Sequence, residues 1–354
     1  MSGGNALKTA NSTMFGCGEN GCPFCIVPEY DGSMSERLSG LITSVRCRLL
    51  RGRDAWIRFW FEPADPLPLA LIRILTGLML AYSLCVWGVE LDAFFGDQLL
   101  QPREAIAILH DGNAMFSLLL YVPQDWLTTI LVLSVIVSLM LTVGICTRVT
   151  SVLAFIITTS WSQRVPVANF GLDQILGLLC LYLAVGSSGA CLSWDSYRRK
   201  KHSVRAPETS ISARLGIRLI QVHLCIIYLW AGFAKLKGET WWTGEAMWRV
   251  IANREYQTAD LTWMATVPWM PYLLAHITIV WEVFFCVLIW NRTLRPLILF
   301  VGVCIHVGIG AFLGMWTFGL IMIVPYLAFL SPNWLRSIFQ TCLSLSGRRN
   351  TDSE

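Results

Sequence analysis

The chain has 354 residues, of which 55% are hydrophobic and only 14% charged, and its formal net charge is +4, with a mean hydropathy of +0.56. That balance is too apolar for a soluble domain of this length and describes an integral membrane protein. The basic residues fall in short clusters beside apolar stretches rather than along one amphipathic face, which excludes a nucleic-acid surface.

The first 60 residues are polar, glycine-containing and then arginine-rich. They hold no apolar core of the kind a secretory signal needs, so the N-terminus is expected to stay on the cytoplasmic side. Residues 1 to about 45 have the composition of a poorly ordered segment. Within them CGENGCPFC brings Cys17, Cys22 and Cys25 close together. Three thiols fit part of a zinc or iron-sulfur site, but a fourth ligand is not evident and no metal is assigned. Most of the remaining cysteines lie inside apolar runs or near basic flanks, which argues against a disulfide framework.

A spanning helix needs about 20 mostly apolar residues. Eight runs qualify: 67–89, 127–145, 149–166, 171–190, 215–236, 272–291, 296–313 and 315–331. The last two are separated only around Gly314 and could be one kinked element, and 114–122 could be a re-entrant or interfacial piece, so the range is seven to nine. The expected fold is an all-α, polytopic transmembrane helical bundle of about eight spans. Cytoplasmic loops accumulate Lys and Arg near span ends. Alternating eight spans from a cytoplasmic N-terminus puts Arg46, Arg48, Arg51, Arg53, Arg58, Arg148, Arg198, Arg199, Arg292, Arg295 and Arg336 inside, with both termini cytoplasmic. The chain then divides into a partly disordered N-terminal segment (1–60), a membrane domain (61–335) and a cytoplasmic tail (336–354). The two long outer loops, 90–126 and 237–271, contain stretches at near-helical spacing, 90–111 and 244–257, that suit helices in the headgroup region and could lid a cavity.

Ionisable groups inside spans are costly, so each is paired, snorkelling or functional. Arg73 lies about two turns into the first span and is expected to snorkel. Asp173 enters the fourth span from outside, and His276 lies close to the outer surface. His223 is near mid-depth in the fifth span. Glu282 and His306 are near mid-depth in the sixth and seventh, where they could pair. On the fifth span Gln221, Tyr228 and Lys235 recur every seven residues, within about 40° of one another at 100° per residue. Small Ala231 and Gly232 accompany this stripe while bulky residues fill the remainder, which suits a bundle-facing surface and points Lys235 inward. Lys235 can equally reach the interface by snorkelling, with Trp241 and Trp242 as aromatic-belt anchors. Kept from water, an ammonium is costly and the neutral amine, a base, is favoured. Gly302, His306, Gly310 and Gly314 form a nearly bare ridge on the seventh span, read as a packing groove.

The run AGFAKLKGETWWTGEAM resembles the corresponding stretch of the vitamin K-dependent gamma-glutamyl carboxylases and their bacterial relatives, the horizontally transferred transmembrane (HTTM) domain proteins. The matching residues are Ala231, Gly232, Lys235, Leu236, Trp241 and Gly244. FEPADPLPLALIRILTG through the first span, LSWD at 192–195, Glu282, His306 and SPNW at 331–334 follow in the same order, so the resemblance covers about 62–334. It implies a lyase-type membrane enzyme in which Lys235 is the base that deprotonates a vitamin K-type or other quinol; oxygen then converts the quinol into a strong base that removes a γ proton from a protein glutamate, and carbon dioxide adds. Tyr228 from the polar stripe and Asp173 from its place at the outer end of the fourth span, with His306, Glu282 and Trp241 from the resemblance, are candidates to line an outward-opening quinol cavity. The implied partners are the lipid bilayer and a secreted peptide or protein, without nucleic acid, and the expected location is the bacterial inner membrane. Two features depart from the carboxylases: Asn169 is followed by Phe170 rather than histidine, and the chain stops soon after Trp334, where they continue into a large lumenal domain. The rival expectation is a non-enzymatic membrane factor for export or maturation of a secreted peptide. A transporter is disfavoured because no internal repeat is visible.

Overall fold

Lipid offers no hydrogen bonds to a backbone, so an apolar run must satisfy its own peptide groups by forming helix. Each of the eight expected runs is helical in the computed structural model, which describes residues 34–96, 102–112, 116–201 and 209–338. The cluster of Cys17, Cys22 and Cys25 lies outside the described residues. The chain divides into two units, 1–55 and 56–354. Helix α1 (Met34–Phe61) covers part of the stretch expected to be unstructured, because its apolar residues recur at helical spacing. Next come α2 (Leu67–Val89), the short α3 (Leu91–Phe95) and α4 (Arg103–His110), then α5 (Leu127–Val143), α6 (Thr147–Arg164) and α7 (Gly171–Val185). The second half runs through α8 (Trp194–Lys201), α9 (Ile211–Leu236), α10 (Glu239–Trp242), α11 (Glu245–Ile251), α12 (Trp269–Leu288), α13 (Arg295–Leu313) and α14 (Trp316–Ile323). A 3-10 segment, Val324–Phe329, extends α14.

Among the described residues five helices are long and apolar enough to cross a membrane, namely α2, Gln124–Val143, α9, α12 and α13, with a sixth if the bent pair Trp316–Phe329 and Pro332–Ile338 is one span. The difference from eight has physical causes. Helix α7 has only 15 residues, about 22 Å of helix against a hydrocarbon core of about 30 Å. Helix α6 is long enough but rich in hydroxyl residues, and these bond back to their own helix: Ser151 Oγ donates to Thr147 O at 2.7 Å and Thr158 Oγ1 to Ala154 O at 2.8 Å. Its hydroxyls are thereby satisfied without water, and the helix packs against α7 inside the bundle. The break at Gly314, which adopts φ +69°, makes α13 and α14 separate elements. Helix α14 folds back along the glycine ridge of α13, so close that a Cβ on Gly310 would meet Trp316 at 2.6 Å and one on Gly319 would meet His306 O at 2.4 Å.

Helix α2 is the most enclosed span, packed against α5, α7, α9 and the 3-10 segment. Arg73 on it does not snorkel. It is fully buried, and its guanidinium donates to Ser188 O at 2.9 Å, Leu192 O at 2.5 Å and Thr142 O at 3.4 Å. These are carbonyls at the C-terminus of α5 and in the chain between α7 and α8, so the cation ties the end of α5 to that connection. Gly144 at that corner has φ +82°, and a Cβ there would lie 2.8 Å from Arg73 Nη1. Only glycine combines that backbone with that approach.

The LSWD sequence serves the same corner. Asp195 accepts from Cys146 N (3.0 Å), Thr147 N (2.9 Å) and Thr147 Oγ1 (3.0 Å), capping the start of α6. Burial works against the charged carboxylate, but these hydrogen bonds and the nearby Arg199 outweigh it and hold the group below its ordinary range. A depressed carboxyl contributes stability above its unfolded-state value and loses that contribution as pH falls through the lower folded-state value. Asp195→Asn should therefore lower stability by about 1 kcal/mol near neutral pH, after allowance for solvent screening. The difference from wild type should shrink as the solution is acidified, read from thermal melts in detergent across a pH series.

One end of the bundle gathers arginines. Arg214 Nε donates to Glu62 O at 2.6 Å, Arg218 Nε to Phe59 O at 3.0 Å and Arg295 Nε to Ile289 O at 3.0 Å. Arg336 pairs with Asp65 at 2.5 Å. Within FEPAD, Glu62 thus ties the chain before α2 to the start of α9 through Arg214, and Asp65 ties it to Arg336 after SPNW.

Candidate functional site

At the opposite end from the arginines, α9 runs beside α12, and the contact is close because Gly232 carries no side chain. A Cβ there would come within 3.1 Å of Val283 N and 3.2 Å of Glu282 Cβ. This approach turns Glu282 toward the last turn of α9, where Lys235 Nζ lies 2.8 Å from each carboxylate oxygen, with its directional hydrogen bond to Oε1. The side chains keep only 20% and 11% of their surface. The Trp241 ring centroid is 5.1 Å from the ammonium, within cation–π range.

Lys235 keeps a fifth of its side-chain surface and turns to Glu282. Glu282 is thirteen residues past Trp269 on α12, about 20 Å along the helix. The first turns of α12 project beyond the end of α9 and are covered by α10 and α11. Gly244, at φ +79°, lets that cover press down, since a Cβ would lie 2.6 Å from Tyr272 Cα. Trp242 Nε1 donates to Leu236 O at 2.9 Å, capping α9, and its ring meets His276 at 5.9 Å.

The seven-residue stripe of α9 is occupied along its length. Gln221 donates to Ala328 O at 2.7 Å and accepts from Arg218 at 2.7 Å. Tyr228 Oη lies 2.8 Å from His306 Nε2 and 2.7 Å from Tyr326 Oη, all three residues buried. His306 Nδ1 is buried without a hydrogen-bond partner among the described residues. The expected pairing of Glu282 with His306 does not form: Glu282 faces the last turn of α9, whereas His306 on α13 meets α9 two turns lower, at Tyr228. Asp173 is engaged locally, accepting from Phe170 N at 3.2 Å at the start of α7.

The structure therefore brings Lys235, Glu282 and Trp241 into one group, and Tyr228 and His306 into a second. It also adds two residues to the polar interior. Tyr326 joins the second group, and a tyrosine in the last apolar run was legible by the same logic as Tyr228. Tyr182 and His223 bond to each other across α7 and α9, beside an apolar recess that includes Leu179, Leu224 and Pro325. Tyr228→Phe removes one hydroxyl from the buried chain and leaves His306 and Tyr326 each short of a partner. The expected loss is about 1–3 kcal/mol, measured as a lower midpoint of thermal unfolding in detergent.

Apolar helices folded around a polar seam, with a part-buried ion pair between two of them, define a multi-pass integral membrane protein. A family model described as the HTTM domain matches residues 61–334, and the chain belongs to that family. Comparison with curated proteins and with solved structures returned no match.

Proposed function

We propose that the Lys235–Glu282 pair is the proton-accepting centre of a membrane enzyme acting on a lipophilic hydroxyl compound, a quinol of the vitamin K type or another membrane quinol, with Lys235 as its catalytic residue. The activity in view couples oxidation of that quinol to carboxylation or a related modification of a secreted peptide. The observation that carries this reading is an amine and a carboxylate 2.8 Å apart whose side chains keep only a small part of their surface. The residues suit such a ligand: Glu282 Oε2 is buried and makes no directional hydrogen bond, although it lies 2.8 Å from Lys235 Nζ, so it has an unused acceptor position for a phenolic hydroxyl. The proton passes to the pair as a coupled unit rather than to one atom in isolation. The positive charge on Lys235 stabilises the oxygen that loses its proton, and Trp241 with α10 and α11 keeps bulk water away. When bound, the quinol would supply the acidic hydroxyl and the reducing electrons for reaction with oxygen. The covered end is read as the outward face, where a secreted peptide would arrive.

The test is quinol consumption by the purified protein in lipid nanodiscs, followed by absorbance. Lys235→Ala should reduce turnover by about 100-fold or more, and equal rates in that variant would overturn the reading. Absence of consumption in the wild type, together with loss of a secreted peptide when the protein is deleted, would instead support the non-enzymatic export or maturation factor.

A further inference from the structure

The arginines of α1 do not share one face, but they accompany an apolar stripe. At 100° per residue, Leu38, Leu41, Ile42, Val45, Leu49 and Trp56 fall within about 60° of one direction. All six are exposed, between 46% and 69%. Arg46 and Arg53 border this stripe on one side, about 60–80° away, and Arg48 borders the other side at a similar angle. Cys47 points the opposite way. From residue 38 to residue 61 the helix carries five arginines and a single acidic residue, Asp54, which pairs with Arg53 at 3.0 Å.

We propose that α1 is a lipid-binding helix that lies in the membrane plane, its apolar stripe between the acyl chains of an anionic leaflet and its bordering arginines on lipid phosphates. The arrangement is the one such helices use: a narrow apolar face, cations at its borders whose stems reach back to the headgroups, and few acids to oppose them. The helix also ends close to the first span. Its last turn sets Phe59 beneath the Arg218 guanidinium at 4.0 Å and against Trp290 at 5.6 Å. Only residues 62–66 separate it from α2. Trp56, Phe59 and Trp60 cluster at this end, the residue types that favour the bilayer interface. Pairing with a second copy is opposed by the sequence of the stripe itself. The heptad seam through Leu38, Ile42, Val45 and Leu49 meets Gly52 before it reaches Trp56, a bare backbone where a coiled coil needs an apolar knob.

The test uses the full chain in nanodiscs of zwitterionic lipid with or without anionic lipid. A spin label on Cys47, with all other cysteines removed, is compared with one at Leu49→Cys in a background that also lacks Cys47. In anionic discs the label at 49 should be reached by oxygen and shielded from an aqueous nickel chelate, and the label at 47 should show the reverse. Exposure of both labels to the aqueous reagent would overturn the proposal, as would dipolar broadening between labels at 49, which would mean pairing of two copies. A second measurement needs no cysteine-free background. Combined replacement of Arg46, Arg48, Arg51 and Arg53 by Gln should lower the ratio of anionic to zwitterionic lipid co-purifying with the protein at least threefold, and an unchanged ratio would equally overturn it.

Discussion

Glu282→Ala is expected to destabilise the protein by about 3 kcal/mol, because it leaves the Lys235 ammonium in the interior without its counter-charge. The value lies at the low end for a broken buried pair, since Lys235 keeps a fifth of its surface and water screens part of the loss. Lys235→Ala should cost a similar amount by stranding the carboxylate. The informative variant is the double one. Lys235→Met with Glu282→Leu replaces both charges by apolar groups, and such replacements are often neutral or stabilising. Thermal melts of the four proteins in detergent should show two low midpoints and one recovered. If the centre handles protons, the double variant should fold like wild type yet consume no quinol. Recovery of both stability and turnover would mean the pair is structural and the chemistry lies elsewhere.

The second large effect is at Arg73. Arg73→Ala takes the donor from three carbonyls, one at the end of α5 and two in the chain after α7, and opens a cavity in the most enclosed span, for an expected loss of about 4 kcal/mol. Arg73→Lys keeps the charge but not the planar fork that reaches Ser188, Leu192 and Thr142 together, so it should recover only part of the loss. Detergent stability assayed by heating and size-exclusion chromatography would rank the three proteins. An Arg73→Ala variant as stable as wild type would show that those carbonyls find other donors.

Much of the architecture was legible because lipid imposes a simple rule. A run of apolar residues long enough to span must be helix, and the polar residues it carries must face protein. The eight helical runs and the inward stripe of Gln221, Tyr228 and Lys235 follow from composition and a 100° step alone. The membrane family was visible too, in AGFAKLKGETWW and the landmarks around it. The hydroxyl-rich α6 and the short α7 were harder, because counting apolar residues does not register hydroxyls satisfied by their own helix or a helix shorter than the hydrocarbon core.

Which polar groups meet was another matter, since a helix wheel gives a direction but neither a height nor a neighbour. That Glu282 meets Lys235 and not His306 depends on how far α12 slides past α9, and Gly232 sets that closeness. Snorkelling was a sound expectation for Arg73 from its place in the chain, yet two turns of α2 bring it beneath carbonyls from α5 and from the chain after α7, which are distant in sequence. Asp173 likewise spends its carboxylate on its own helix start. The order of residues determines helices and their faces through local hydrogen bonding and lipid exclusion. Partnerships between charges arise only when helices far apart in sequence settle against one another, because Coulomb attraction and hydrogen bonds act over a few ångströms.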